Sequence, residues 1–307
     1  MGKMHTPVLL DLATDFLVNN QEGVYVDCTL GTGGHFSEIA RKTNQEAFLI
    51  GFDADESAID FCKNNLDINQ EYILVNSNFE YLKKYCYRNG FPEVNGILMD
   101  LGLSSFALDN PERGFSYDQD GPLDMRFSKA QDLTAQKFIN SASRNKLHEV
   151  FKNYGEVKKT PAIVNGILDF RKNKRIKRTS ELKQIIKNRT PYKYRKKVLS
   201  QVFQAIRIHI NQELDVLKSA LEQSMDLLVP EGRLVVISYH SLEDRIVKHF
   251  FKEKAKDCIC PPEFPICQCE HTAEVEILTD SPVVPDEEEI DKNPRSRSAK
   301  LRAIEKL

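Results

Sequence analysis

Short apolar runs alternate with stretches of helical periodicity over the first third of the chain. The apolar runs are residues 23–30, 47–54, 72–76 and 95–102. Their length predicts strands, and the segments between them have apolar residues at helical spacing. Strands that alternate with helices indicate a parallel sheet with crossover helices. Asp55, directly after the second run, is suited to cap the helix that follows it.

The alternation stops near residue 105 and resumes at residue 233. Residues 105–212 contain glycine and proline loops followed by amphipathic helical stretches, and the run 233–240 returns to a strand pattern. A helical domain is therefore predicted to interrupt one α/β domain. We expect a discontinuous α/β domain of residues 1–108 and 213–307, with residues 109–212 as the inserted domain.

A glycine-rich turn, DCTLGTGGH at residues 27–35, follows the first predicted strand. Such glycines let a strand turn sharply into a helix and let a ligand approach the backbone. A dinucleotide fingerprint would have a third glycine where this chain has Phe36. Asp27 at the strand end therefore favours S-adenosylmethionine over a nicotinamide dinucleotide. Asp53, at the end of the second strand, suits a ribose diol of either cofactor.

Charge is nearly balanced overall but uneven along the sequence. The net charge is −2, yet residues 158–197 hold 15 Lys and Arg against 2 acidic residues. Basic blocks at 170–178 and 192–198 are typical of a phosphate-binding surface, with Tyr192 and Tyr194 available to stack on bases. The alternative is an ordinary solvated helix face. We expect the inserted domain to bind nucleic acid.

Seven stretches of the chain together carry a resemblance to a known family. They are HTPVLL (5–10), DCTLGTGGH (27–35), GFDAD (51–55), DLGLSS (100–105), ERGFSYDQDGPLDMRF (112–127), RLVVISYHSLEDRIVKHFF (233–251) and NPRSRSAKLR (293–302). In this order and spacing they resemble the RsmH (MraW) family of bacterial 16S ribosomal RNA methyltransferases. The resemblance implies a class I S-adenosylmethionine-dependent methyltransferase, with a Rossmann-like, mostly parallel sheet and an inserted helical domain that binds RNA.

The same resemblance implies methylation of the N4 amino group of a cytosine in the decoding region of 16S ribosomal RNA in the small subunit. It implies cofactor contacts at Gly33, Gly34, His35, Asp53, Phe79 and Asp100. The ring of Phe79 could flank an adenine or pack in the core. Where the family usually has SSPQLD, this chain has SSFALD at 104–109, so Ala107 replaces a glutamine that contacts the cofactor in the family.

Two residues at the expected rim of the sheet are candidate catalytic residues, Asp100 and His240. Asp100 ends the fourth strand, where open α/β sheets bind ligands. We favour a role in holding the cofactor's ammonium group over acceptance of a hydrogen bond from the cytosine amino group. His240 either contacts substrate or precedes a capping box formed by Ser241 and Asp244. Carbon-5 methylation would need a cysteine nucleophile, and the candidate site offers only Cys28, so nitrogen methylation is favoured.

The chain has seven cysteines, four of them in the pairs Cys258/Cys260 and Cys267/Cys269. A one-residue spacer on an extended chain points two thiols to opposite sides, so we expect no bound metal, with zinc as the alternative. The apolar runs are shorter than the roughly 20 residues of a membrane span, and a cytoplasmic location is expected.

The sequence leaves open whether the protein is a monomer or a homodimer. It also leaves two alternative functions: the enzyme could methylate DNA or a small molecule instead of RNA, or the protein could be a nucleic-acid-binding regulator that keeps the cofactor pocket only for stability.

Overall fold

The computed structural model describes residues 7–258, 260, 268–269 and 271–307, with the side chains of residues 105 and 106 excluded. Cys267 and the first two residues of the HTPVLL motif lie outside this set. By its internal contacts the chain divides into two compact units, which we call unit 1 (Met1–Gly102 and Val216–Leu307) and unit 2 (Leu103–Asp215). The sequence pattern predicts these two boundaries after residues 108 and 212, a few residues from where the contacts divide the chain.

Unit 1 contains a seven-stranded sheet in the order β3-β2-β1-β4-β5-β7-β6. Its strands are β1 (Val24–Asp27), β2 (Phe48–Asp53), β3 (Glu71–Asn76), β4 (Val94–Asp100), β5 (Leu228–Ser238), β6 (Val275–Ile277) and β7 (Lys300–Lys306). Strands β1 to β5 pair in parallel, whereas β7 is antiparallel to both β5 and β6. The predicted α/β class with a mostly parallel sheet is confirmed. Strands β6 and β7, which form the antiparallel edge of the sheet, were not predicted.

The helices alternate with the first five strands and fill the segment between β4 and β5. In chain order they are α1 (Leu10–Leu17), α2 (Gly34–Lys42), α3 (Glu56–Asn65), α4 (Leu82–Arg88), α5 (Ser105–Asp109), α6 (Ala135–Ser141), α7 (Arg144–Asn153), α8 (Thr160–Asn173), α9 (Thr179–Asn188), α10 (Arg195–Asn211), α11 (Glu213–Leu227), α12 (Ser241–Lys254) and α13 (Glu287–Lys292). Asp55 caps α3 as predicted, because its carboxylate accepts a hydrogen bond from Ser57 N.

The sheet of unit 1 is covered on both faces, so its central strands are apolar on both sides. Successive residues of a strand point to opposite faces, and the buried side chains accordingly fall into two clusters. One cluster combines strand residues with α4, α11 and α12: Val26, Ile97, Val236, Leu82, Leu221 and Val247. The other combines strand residues with α1, α2 and α3: Leu49, Leu98, Val235, Ala13, Phe36 and Ile59. This three-layer arrangement holds the carboxyl ends of the parallel strands in fixed positions.

Unit 2 is helical and has a hydrophobic core of its own. Side chains of α6 to α10 form this core: Phe138, Leu147, Phe151, Ile163, Ile167, Leu182, Ile186, Val202 and Ile206. Ala107 in α5 is buried in the same core. Among the described residues, none of the helices combines the length and hydropathy that crossing a membrane requires.

Candidate cofactor and active site

Three acidic residues lie at the carboxyl edge of the unit 1 sheet. Asp27 ends β1, Asp53 ends β2 and Asp100 ends β4. Because β1 pairs in parallel with both β2 and β4, these strand ends are neighbours at one edge. Open α/β sheets bind ligands at this edge. The structure therefore brings together acids that are far apart in the sequence.

The glycine turn joins β1 to α2 at this edge. Gly33 has φ +79° and precedes the first residue of α2, and a Cβ added to it would lie 2.9 Å from Leu66 Cδ2. Both the backbone conformation and the available space thus require glycine. Gly34, the first residue of α2, is packed so closely that an added Cβ would lie 2.1 Å from Pro7 Cγ. The turn therefore places the amino end of α2 close to the carboxyl end of β1.

The carboxylate of Asp53 is held at the rim by two backbone amides. Gly31 N donates to Asp53 Oδ2 at 2.9 Å, and Asp55 N donates to Asp53 Oδ1 at 2.8 Å. One of these amides belongs to the glycine turn, so Asp53 couples the end of β2 to that turn. A carboxylate oriented in this way presents acceptor oxygens that suit a ribose diol.

Asp27 is buried, and one of its two carboxylate oxygens has no hydrogen-bond donor among the described residues. Its Oδ1 accepts a hydrogen bond from Thr29 N at 2.9 Å, whereas its Oδ2 has no donor among the described residues. Burial raises the pKa of this carboxyl to about 6, an effect that the neighbouring His35 partly offsets. A buried oxygen without a donor is costly, so this atom is suited to receive a ligand donor.

Asp100 is held by contacts from both neighbouring strands. Tyr239 Oη, just after β5, donates to Asp100 Oδ1 at 2.7 Å, and Asp100 N donates to Thr29 Oγ1, just after β1, at 2.7 Å. Burial raises the pKa of Asp100 to about 7, although the Tyr239 hydrogen bond lowers it in part. Near neutral pH this group is therefore poised between its two protonation states.

His35 adds a third acceptor to the cluster. Its Nε2 lies 3.0 Å from the carbonyl oxygen of Val8, and since a carbonyl only accepts, Nε2 carries the proton. Burial lowers the pKa of the ring, so His35 is neutral at pH 7 and its Nδ1 has a lone pair. Nδ1 lies 3.8 Å from Asp100 Oδ2.

The acceptor cluster of Asp27, His35 and Asp100 determines which ligand group fits. Two carboxylates with raised pKa values and one imidazole lone pair face the same region, and the Asp27 and Asp100 carboxylates repel each other when ionised. A cationic N–H donor would satisfy the unpaired oxygen and remove this repulsion. An alkylammonium group, as at the methionine end of S-adenosylmethionine, has this chemistry.

His240 has a structural role that the sequence pattern placed one residue later. His240, and not Ser241, is the N-cap of α12: its Nδ1 accepts a hydrogen bond from Glu243 N at 3.3 Å, and Glu243 Oε2 accepts from Tyr239 N at 2.9 Å. Asp244 does not cap the helix but pairs with Arg302 Nε at 2.8 Å. The catalytic role of His240 stays a prediction.

Phe79 follows β3 and lies in a short 3-10 helix, Phe79–Tyr81. Its side chain is half-buried and packs against the first hydrophobic cluster of the sheet. This position fits either of the predicted roles, and the adenine contact stays a prediction.

Sequence reasoning missed Thr29 and Tyr239. Thr29 supports both acids, because its amide donates to Asp27 and its hydroxyl accepts from Asp100 N. Thr29 lies two residues after β1 and Tyr239 lies directly after β5, and both strands are adjacent to β4. This proximity at the carboxyl edge identifies the two residues once the strand order is known.

Unit 2 presents an exposed basic and aromatic segment before and at the start of α10. Tyr192 is 84% exposed and Tyr194 is 49% exposed, with the Arg195 guanidinium 5.5 Å from the Tyr192 ring centre. Lys196 and Lys197 follow as exposed residues. By contrast, Arg126 is engaged in an internal ion pair with Asp124 at 2.7 Å.

Comparisons with known proteins agree over the whole chain. A family model described as the MraW methylase family matches residues 2–307. A ribosomal RNA small subunit methyltransferase H of Halothermothrix orenii is 44% identical, with 99% of this chain and 98% of that protein covered. Proteins of the same name from Clostridium botulinum and Clostridioides difficile are 44% and 43% identical, each with 99% of both chains covered.

Proposed function

Because the chain belongs to the MraW methylase family, we propose that it methylates ribosomal RNA of the small subunit. The predicted cofactor, S-adenosylmethionine, is confirmed by the family match. Relatives at 44% identity over 99% of the chain carry the name of small subunit methyltransferases, which supports the substrate. The observation that carries the proposal is the acceptor cluster beside the glycine turn.

Each residue of the site has a distinct task toward the cofactor. Asp27 and Asp100 would bind the ammonium group of the cofactor through their carboxylates, and His35 Nδ1 would offer a third acceptor. Asp53 would bind the ribose hydroxyls, and Gly33 and Gly34 would let the ligand approach the start of α2. When bound, S-adenosylmethionine supplies a methyl group on a sulfonium, a good leaving group. The contribution of the protein is then mainly alignment of donor and acceptor.

We further propose that the acceptor atom is the N4 amino nitrogen of a cytosine in the decoding region of 16S ribosomal RNA. Carbon-5 methylation needs a cysteine nucleophile. The cysteine nearest the cofactor turn in sequence, Cys28, is 1% exposed, and burial raises its pKa well above the usual value. Cys62 is also buried, with its pKa raised to about 12. Neither thiol is suited to nucleophilic attack at neutral pH.

The proposed RNA-binding surface is the segment 192–197 of unit 2, in the basic helical domain inferred from sequence. Exposed tyrosines offer faces for base stacking, and the adjacent lysines and arginine offer charge for phosphates. The surface requires no particular base sequence, which suits positioning on a large folded RNA. The target nucleotide is then selected at the cofactor site.

Transfer of radiolabelled methyl groups to small subunits tests the proposed substrate. Subunits from cells that lack this protein should accept label from wild-type enzyme and not from D53N. D60N, which changes an exposed aspartate on α3, is the matched control and should retain activity. Strong labelling of DNA or a small molecule with no labelling of subunits would contradict the proposal.

A charge reversal tests the RNA-binding surface separately. K196E/K197E should weaken binding to small-subunit RNA, and the slope of log K against log salt should fall by about 1.4, at roughly 0.7 per lost contact. K248E/K252E reverses two exposed charges on α12 in unit 1 and should leave both quantities unchanged. An equal loss of RNA affinity in both variants would contradict the proposed surface, because binding would then depend only on the net charge of the protein.

A further inference from the structure

The segment between α12 and β6 contains a cluster of thiols outside the cofactor site. Cys258, Cys260 and Cys269 each present a sulfur atom, and the three Sγ atoms lie within 4.8 Å of one another. The expectation that a one-residue spacer separates two thiols does not hold for Cys258 and Cys260. Neither Cys258 nor Cys260 lies in a strand, and Cys260 N donates to Cys258 Sγ at 3.4 Å.

We propose that these three cysteines bind a zinc ion that stabilises the segment. In tetrahedral zinc–thiolate sites the Zn–S distance is about 2.3 Å, which places neighbouring sulfurs about 3.8 Å apart. The Sγ atoms of Cys258 and Cys269 are already 3.7 Å apart. The described thiols therefore need little rearrangement to become three ligands of one ion.

Backbone amides favour the thiolate form that a metal requires. In addition to the amide of Cys260, Gln268 N donates to Cys260 Sγ at 3.3 Å. Hydrogen bonds to ligand sulfurs stabilise negative charge and fix the direction of the ligand. The three cysteines are exposed or partly exposed, unlike the fully buried Cys28, Cys62 and Cys86. Their clustering is therefore not explained by packing in a hydrophobic core.

The position of the segment explains why a metal would be useful there. Twenty residues separate the end of α12 from the start of β6, which is a long connection for a compact domain. Lys254 and Glu274 close its base, because Glu274 N donates to Lys254 O at 2.8 Å and their side chains pair at 3.1 Å. A bound ion would tie together residues between these two ends.

The zinc site has a structural and not a catalytic role. α12 begins at the carboxyl edge of the sheet and has 14 residues, so its end lies about 21 Å from its start at 1.5 Å per residue. The thiols follow that far end. They are therefore remote from the acceptor cluster of Asp27, His35 and Asp100, and metal binding does not depend on the proposed reaction.

Metal analysis of the purified full-length protein tests this proposal. Protein prepared with zinc and reductant, then freed of unbound metal, should contain about one zinc per chain. C258S/C260S should reduce zinc to background, whereas C86A, which removes a thiol elsewhere, should retain it. Cobalt added to zinc-free protein should give sulfur-to-cobalt charge-transfer absorption in the wild type and in C86A but not in C258S/C260S.

Two results would overturn the zinc site. The first is that wild-type protein contains no zinc and shows no cobalt–thiolate band under reducing conditions. This result also counts against the site if mass spectrometry finds a disulfide between the cysteines. The other is full zinc content in C258S/C260S. If that variant does not fold, C269S should be tested instead, and full zinc content in C269S would contradict the proposal. A chelator should also lower the melting temperature of the wild type, and an unchanged melting temperature would contradict the proposal.

Discussion

The raised pKa values of Asp27 and Asp100 predict that cofactor affinity falls steeply with acid. Both carboxyls must be ionised to hold an ammonium group, and their pKa values in the ligand-free protein are about 6 and about 7. Protonation competes with the ligand first at Asp100 and then at Asp27 as the pH decreases. His35, which gains a positive charge in acid, acts in the same direction.

The size of the effect follows from the two pKa values. Between pH 8 and pH 5 the fraction of protein with both groups ionised falls about 1000-fold, and with Asp100 alone about 90-fold. The affinity for S-adenosylhomocysteine, measured by calorimetry, should fall by an amount between these values. Its ammonium group stays protonated throughout this range, so the change reports on the protein.

Two controls isolate the ammonium contact. 5′-Methylthioadenosine has the same nucleoside without the amino acid part, so its affinity should change little between pH 8 and pH 5. Y239F removes the hydrogen bond that lowers the pKa of Asp100, and the decline should then begin at higher pH. An S-adenosylhomocysteine affinity that stays constant from pH 8 to pH 5 would refute the assigned role of the two acids.

Three substitutions test the supporting structure by thermal or chemical unfolding. Because burial raises the pKa of Asp27 above its unfolded value, the protonated carboxyl stabilises the fold at low pH, and this stabilisation is lost as the pH rises through about 6. D27N should therefore increase the free energy of unfolding at pH 7.5 by up to about 3 kcal/mol, while S-adenosylhomocysteine binding is lost. T29V leaves Asp100 N without its acceptor and should cost about 1–3 kcal/mol, whereas T29S should cost less; equal losses would argue against the hydroxyl contact. H240A should lose about 1 kcal/mol through the helix cap and H240N should retain most stability and methyl transfer; full stability with no transfer in H240N would assign His240 to catalysis.

The alternation of apolar runs and helical stretches predicted the parallel part of the sheet because those strands are buried on both faces. Strands β6 and β7 were not predicted, for two different reasons. β6 has only three residues, and β7, KLRAIEK, includes charged side chains such as Arg302, which pairs with Asp244 of α12. The apolar residues of β7 lie among these charged side chains, so its sequence does not form an apolar run.

The candidate site was predictable as far as it depends on strand ends. Asp27, Asp53 and Asp100 each end a strand, and their proximity follows from parallel pairing. Thr29 and Tyr239 could not be selected, because their roles depend on which strands are adjacent to β4. The cap of α12 was placed one residue late because Ser is the commoner capping residue, whereas here the extended backbone of His240 presents Nδ1 to the helix.

Nucleoside analysis of ribosomal RNA tests the central claim most directly. Small-subunit RNA from cells that lack this protein, and from the same cells supplied with wild type or D100N, would be digested and examined by mass spectrometry. The account predicts that N4-methylated cytidine in 16S RNA is restored by wild type and not by D100N. Restoration of a methyl group at carbon 5 of cytidine, or of the N4 mark by D100N, would contradict it.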